Sequence, residues 1–469
     1  MTFEIGKLQR IYLAMLDRME SSASLFETRN REGIFSPALT MWLMINGRAK
    51  GQRSLMDALD SLVSNEASEV AARSNTRKLR VIPVSMNSGG LSRARERLSL
   101  DLVKRVSFEI VEHLLRDLSP TLWHGRRVFL CDGTIIALTR TKEHVEAFRP
   151  TRNQHGSAYT PNFLCLCCHE LFSGIALTPR YGAYRGENAR SEPGLFYEVL
   201  EDLPHKSLIV MDRNFGIFPV AYAAARKQHH ILVRLTASRA KGFGVEKGPF
   251  VDKKVRWEFG TSRSTEQLQI PKNASLDGRF IKWTVERKGC RPLELLFFTN
   301  SSQSAEELAN LYLQRERIEN DIRTLKHTIG MERLFAESPD GIAKELILGV
   351  TAYNLLRAII SEAARELGLE PRQISFTRAA KFSQIFSRRI LEASSQQERL
   401  LLQQHFLTAL KQTRIPNRKK RRIEPRKLAH DPKKYTLMKH SRAQEQIIAE
   451  ETLAKHGNRG YYTSVTRKY

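Results

Sequence analysis

Apolar positions along this chain follow two spacings, and the change from one to the other divides it. Up to about residue 120 they recur every three or four residues, the period of helices packed on one face. Ser36 is placed to cap a helix over 37–45, and Ser54 with Asp57 forms a capping-box-like start for Leu55 to Val63. Gly47 and Gly51 lie between them, a pattern shared by helix-turn-helix units and plain helical bundles. Ser92 is expected to open a basic helix through Arg93, Arg95 and Arg97. From about 125 to 236, short apolar runs bounded by turn residues predict strands near 127–131, 162–168, 173–179, 207–211 and 230–235. Helices are expected between them near 193–202 and 217–228. Period-two segments follow at 255–259, 267–270, 280–285 and 293–298, punctuated by Gly, Asn and Pro. Ser304 and Glu307 then form a capping box for one long helix that carries Tyr312 to Lys326.

These patterns divide the chain into a helical segment at 1–120, a first core segment at 121–236 and a β-rich insertion at 237–300. A second core segment spans 301–370, and a helical and basic region 371–469. Composition adds a partner class. Lys and Arg number 76 against 50 acids, a formal net charge of +26 over 469 residues, which predicts attraction to a polyanion. The charge peaks at Arg418, Lys419, Lys420, Arg421 and Arg422, where Pro416, Pro425 and Pro432 oppose continuous helix; a DNA-contacting arm or a solvated tail fits that pattern. No segment has the ~20 uninterrupted apolar residues of a membrane helix, so no membrane partner is expected. The apolar stretch near 341–367 carries Lys344, Glu345 and Arg357 and reads as a core helix. No basic-then-apolar signal opens the chain. Five cysteines suit a reducing compartment. Cys165, Cys167 and Cys168 lack zinc-site spacing and read as small apolar strand residues.

The chemistry concentrates in three acids. Asp132 and Asp212 each follow an apolar run, Val128-Phe-Leu-Cys and Leu208-Ile-Val-Met, at the carboxyl ends of strands where open α/β sheets place their ligands. Glu319 lies on the long helix with Tyr312, Arg315 and Lys326. At about 100° per residue all four fit one narrow stripe, beside the apolar stripe Leu311, Ile318, Ile322, Leu325 and Ile329. Glu316, about 60° from Glu319 on an ideal helix, is a rival third acid. Transfer of a phosphodiester is served by two magnesium ions about 3.5–4 Å apart held by hard carboxylate oxygens, a role that Asp132, Asp212 and Glu319 fit. Arg315, Arg323 and Lys326 are candidates to hold DNA phosphates, and Tyr312 to stack on a base or bond a phosphate. The strand and helix order, with acids ending the first and fourth strands, matches an α/β, RNase H-like catalytic core interrupted by a β-rich insertion, with a helical N-terminal domain and a basic C-terminal segment.

Tyr312, two residues, Arg315, three residues, Glu319, six residues and Lys326 reproduce a family signature, and Asp132-Gly-Thr and Asp212-Arg-Asn-Phe accompany it in order. On these residues the chain resembles DDE transposases of the insertion sequence 4 family, over about residues 125 to 360. The resemblance implies cleavage at terminal inverted repeats with two Mg²⁺ ions, Mn²⁺ being a possible substitute, then a hairpin intermediate and strand transfer into target DNA. It implies double-stranded DNA as partner, a homodimer in the synaptic complex, and action in the bacterial cytoplasm on the nucleoid. It also points to a tryptophan of the insertion holding a flipped base, for which Trp257 and Trp283 are candidates beside a role in core packing. Two other readings are a catalytically inactive DNA-binding relative and an RNase H-like nuclease without strand transfer.

Overall fold

The computed structural model describes residues 35–51, 54–63, 87–118, 121–153, 156–244, 248, 250–260, 270–286, 293–415 and scattered positions from 440 to 454. The basic cluster from Arg418 to Arg422 and most of the period-two segment at 267–270 lie outside these. Residues 1–417 form one compact unit and 418–469 a second, whose described positions between 443 and 454 are helical.

Local signals set the first helices. Ser36 Oγ accepts from Leu39 N at 3.2 Å and opens α1 (Pro37–Ala49), with proline in its first turn. The reciprocal Ser54–Asp57 pair, at 3.2 and 3.1 Å, opens α2 (Leu55–Val63). The basic helix α3 (Gly89–Arg97) starts ahead of the expected Ser92, where Asn87 Oδ1 accepts from Gly89 N at 2.9 Å. In α4 (Leu100–Leu118), Leu102, Val103, Val106, Ile110, Val111, Leu114 and Leu115 form the buried face at helical spacing.

The centre is one mixed sheet. Its first part contains β1 (Val128–Leu138), α5 (Lys142–Ala147), a two-stranded pair of β2 (Arg152–Asn153) and β3 (Gly156–Ser157), β4 (Asn162–Glu170) and β5 (Arg180–Ala183). Then come α6 (Glu192–Val199), β6 (Leu208–Met211), α7 (Phe218–Arg226), β7 (His230–Arg234) and α8 (Ala237–Ala240). Three further strands follow, β8 (Phe250–Glu258), β9 (Ser275–Val285) and β10 (Leu293–Thr299). The rest is helical apart from one short strand: α9 (Ala305–Tyr312), α10 (Glu316–His327), β11 (Arg333–Leu334), α11 (Pro339–Glu366), α12 (Phe376–Glu392) and α13 (Gln396–Gln412). The strand order is β5-β4-β1-β6-β7-β10-β9-β8, with β11 also pairing β1. Strand β4 is antiparallel to both β1 and β5, whereas β6 runs parallel to both β1 and β7.

The α/β class expected from the sequence is the one adopted, and four details depart from that expectation or extend it. Strand β1 does not end at Asp132 but continues to Leu138, because β4 pairs with it from Phe129 to Ala137 and satisfies its backbone on that side. The strand expected at 173–179 begins only at Arg180: Glu170 Oε2 accepts from Phe172 N, Ser173 N and Ser173 Oγ at 3.1, 2.7 and 2.6 Å, which curls the chain into a turn. The segment expected as an insertion extends the central sheet, since β10 pairs antiparallel with β7. The single helix expected from Tyr312 to Lys326 is two, α9 and α10, separated by a 3₁₀ turn over Leu313–Arg315.

Helices cover both faces. One apolar cluster joins α1 and α4 to β1, β6 and α11, another packs α11 to α13 against β4, and a third places α9 and α10 on the opposite sheet face. Among the described residues α11 alone is long and apolar enough to cross a membrane, and its apolar window is wholly buried in the protein. The expected structural role of the thiols agrees with Cys131, Cys165, Cys167 and Cys168 being free and buried.

Candidate active site

Strand register brings the two aspartates together across 80 positions of chain. In the parallel β1–β6 pairing Cys131 stands opposite Met211, so the residues that follow, Asp132 within β1 and Asp212 just past the end of β6, lie side by side. β6 stops there while β1 continues, which opens a notch at the sheet's carboxyl edge. Asp212 Oδ1 accepts from Asn214 N at 2.8 Å, the local bond that turns the chain. Phe215, fully buried, anchors that turn with its ring 5.9 Å from Phe196. Gly216 is required next, because any Cβ there would collide with the Arg234 carbonyl.

The third acid comes from α10. Arg315 Nη1 lies 3.2 Å from Asp132 Oδ2, and its Nη2 donates to Glu319 Oε1 at 2.9 Å. One guanidinium therefore spans an acid of the sheet and an acid of the helix; this contact goes to Glu319, not to its rival Glu316. Burial pushes the Asp132 carboxyl above its ordinary range and Asp212 adds to the rise, with Arg315 opposing both. Burial also works against charge on Arg315, but Tyr312, Asp132, Glu319 and Asp212 together outweigh it and hold the guanidinium more firmly protonated.

The 3₁₀ turn separates the four residues that an ideal helix would align. Tyr312 is only 6% exposed, its ring 4.7 Å from Phe297, so it has no face to offer a base. That corrects the expected stacking role: the tyrosine belongs to the cluster under the site, and burial raises its phenol above the ordinary value. Arg315, expected on phosphate, is engaged by two acids. Lys326 donates to the Ile135 carbonyl at 3.1 Å, beside the extension of β1 past Asp132. Arg323 is exposed, with Nη1 3.4 Å from Asn320 Oδ1. Trp257 and Trp283 are half-buried in aromatic clusters, the former 4.7 Å from Phe298 and the latter 5.6 Å from Phe250.

A fourth carboxylate, missed by the sequence reading, stands beside the aspartates. Glu192 opens α6 after its cap Ser191, and its carboxylate lies over Gly133, where any Cβ would strike it. Asn214 Nδ2 donates to Glu192 Oε2 at 3.3 Å. Burial raises the Glu192 carboxyl, the Asn214 bond opposes the rise, and Asp212 and Asp132 add to it. In sequence it looks like an ordinary acid in a first helical turn, where the dipole alone explains it.

Behind Glu319, α10 is fixed by a buried ionic knot. Asp321, 1% exposed, accepts through Oδ1 from Tyr353 Oη at 3.1 Å, Arg357 Nη2 at 2.8 Å and Arg372 Nη1 at 2.5 Å. Burial alone would raise its carboxyl, but Arg372, Arg357 and His169 hold it down at about 2. The helix that presents Glu319, and that Arg315 immediately precedes, is thereby tied to α11 and to the turn before α12.

Among the described residues no three His, Cys, Asp or Glu side chains converge as placed on one metal position. None of the curated proteins matches the chain. A cryo-EM structure of a piggyBac transposase synaptic complex with hairpin DNA is similar to it at 11% identity, covering 87% of this chain and 83% of that one, with a TM-score of 0.38. Residues 123–355, which contain β1 to β11 and all four carboxylates, match the model described as the transposase DDE domain.

Proposed function

We propose that this protein is a transposase that binds the terminal inverted repeats of an insertion sequence, cuts the DNA there, and joins the freed end to target DNA through a hairpin intermediate. The observation that carries the reading is the placement of Asp132 beside Asp212 by strand register, with Arg315 joining Asp132 to Glu319. The strand order β5-β4-β1-β6-β7, antiparallel then parallel about β1, supports an RNase H-like core. Within the DDE class, the Tyr312, Arg315, Glu319 and Lys326 spacing favours the insertion sequence 4 family.

Asp132, Asp212 and Glu319 would hold two Mg²⁺ ions, or Mn²⁺ in their place. The donors fit: carboxylate oxygens are the hard ligands these ions take, and two of the acids already share one cationic group, the Arg315 guanidinium. Bound there, the metal supplies charge stabilisation to the entering and leaving oxygens of the phosphodiester. The chain's own residues do the positioning. On α10, exposed Arg323 and half-buried Lys326 offer positive charge to the DNA. The helical segment 1–120 and the basic run Arg418 to Arg422 contact double-stranded DNA, and two copies of the chain act together on the paired ends. The setting is the bacterial cytoplasm, at the nucleoid.

The test is Mg²⁺-dependent nicking of a duplex bearing the terminal repeats that flank the gene. Asp132→Asn, Asp212→Asn and Glu319→Gln are each expected to reduce nicking to background with DNA binding retained. Cleavage that survives any one of them removes that residue from the site.

A further inference from the structure

We propose that Glu192 is a fourth carboxylate of the active site and helps to hold the divalent cation shared with Asp132 and Asp212. This rests on the reading of Asp132, Asp212 and Glu319 as the metal-holding acids, and it adds a residue that the family signature does not contain.

Three observations converge on it. First, the Asp-Gly step in β1 leaves room for this side chain alone: a Cβ on residue 133 would collide with the Glu192 carboxylate. The glycine following Asp132 sits in a strand at ordinary dihedrals, so clearance and not backbone freedom accounts for it. Second, Asn214 joins the two acids. Its side-chain amide donates to Glu192 Oε2 at 3.3 Å, and its backbone N–H donates to Asp212 Oδ1 at 2.8 Å. Third, the charges do not balance. Among the described residues Arg315 is the cation bonded to these acids, and its two ion pairs go to Asp132 and Glu319. Among the described residues Asp212 and Glu192 are bonded to no cation, and Asn214 is the partner they share. Like charges gathered in a partly buried notch repel unless a cation joins them, and a divalent ion is the compensation these oxygens suit.

The test uses Mn²⁺ as a probe, read by electron paramagnetic resonance on the full-length protein without DNA, so the readout is independent of cleavage. Glu192→Gln keeps the shape and the acceptor for Asn214 while removing the charge. It is expected to weaken Mn²⁺ binding by about tenfold or more, and nicking should recover in part at raised Mn²⁺. Glu198→Gln, on the same helix but paired with Arg190, should bind Mn²⁺ as the wild type does and serves as the fold control. If Asp132→Asn loses Mn²⁺ while Glu192→Gln keeps wild-type affinity, Glu192 is not a ligand and the proposal fails although the three-acid site stands. If the wild type itself binds no Mn²⁺ at these acids, the underlying reading fails with it.

Discussion

Replacing Asp321 with asparagine tests whether the glutamate helix is held by its buried ionic knot. The carboxylate is 1% exposed and accepts from Tyr353, Arg357 and Arg372, whose side chains are themselves nearly or fully buried. Removing one partner of such a group strands the cations, at a cost of about 3–5 kcal/mol. The pH dependence supplies a second estimate. The carboxyl titrates at about 2 in the folded protein, against about 3.9 in an unfolded chain, and that gap corresponds to about 2–3 kcal/mol. Because the folded value is depressed, this stabilisation is complete above about pH 4 and is lost as pH falls toward 2. Urea unfolding followed by tryptophan fluorescence at several pH values is the assay. The Asp321→Asn variant should be less stable by about 3–5 kcal/mol at pH 7, and the gap should narrow as the pH approaches 2. A variant within about 1 kcal/mol of wild type at pH 7, or a gap that ignores pH, would refute the reasoning. Hydrogen exchange should show α10 opening more often in the variant, since Asp321 lies on that helix.

Two further outcomes are expected. Ser304→Ala removes the side-chain half of the capping box that opens α9, the Glu307 N to Ser304 Oγ bond at 3.3 Å and the Ser304 Oγ to Glu307 Oε2 bond at 2.7 Å, and should cost about 1 kcal/mol by thermal or urea unfolding; no change would mean that packing alone sets that helix start. Affinity for duplex DNA, read by fluorescence anisotropy, should fall steeply with salt, and neutralising Arg418 to Arg422 should flatten the log–log slope by about 0.9 for each DNA phosphate the chain then leaves unpaired. An unchanged slope would remove this segment from the DNA interface.

Much of the site was legible because it is written in local patterns. Apolar runs ending at Asp132 and Asp212 announce two strands, and the spacing from Tyr312 to Lys326 marks the third element. The caps at Ser36, Ser54 and Ser304 form as expected, since each needs only residues three positions away. Tyr312 was misplaced because its direction depends on a 3₁₀ turn that an ideal helical period does not foresee. Glu192 escaped because nothing near it in sequence distinguishes it from an acid favoured by a helix dipole.

The sequence by itself determined most of the segments that become helices and strands, which faces are apolar, and which acids and cations are available to the candidate site. The tertiary structure decided how they meet. Pairing of Cys131 with Met211 sets the two aspartates side by side, and β4 carries β1 past the first of them. The β-rich segment widens the central sheet, and α6 lowers Glu192 onto Gly133. Such contacts join residues tens to hundreds of positions apart, where no periodicity reaches and only the burial of shared surfaces selects the register.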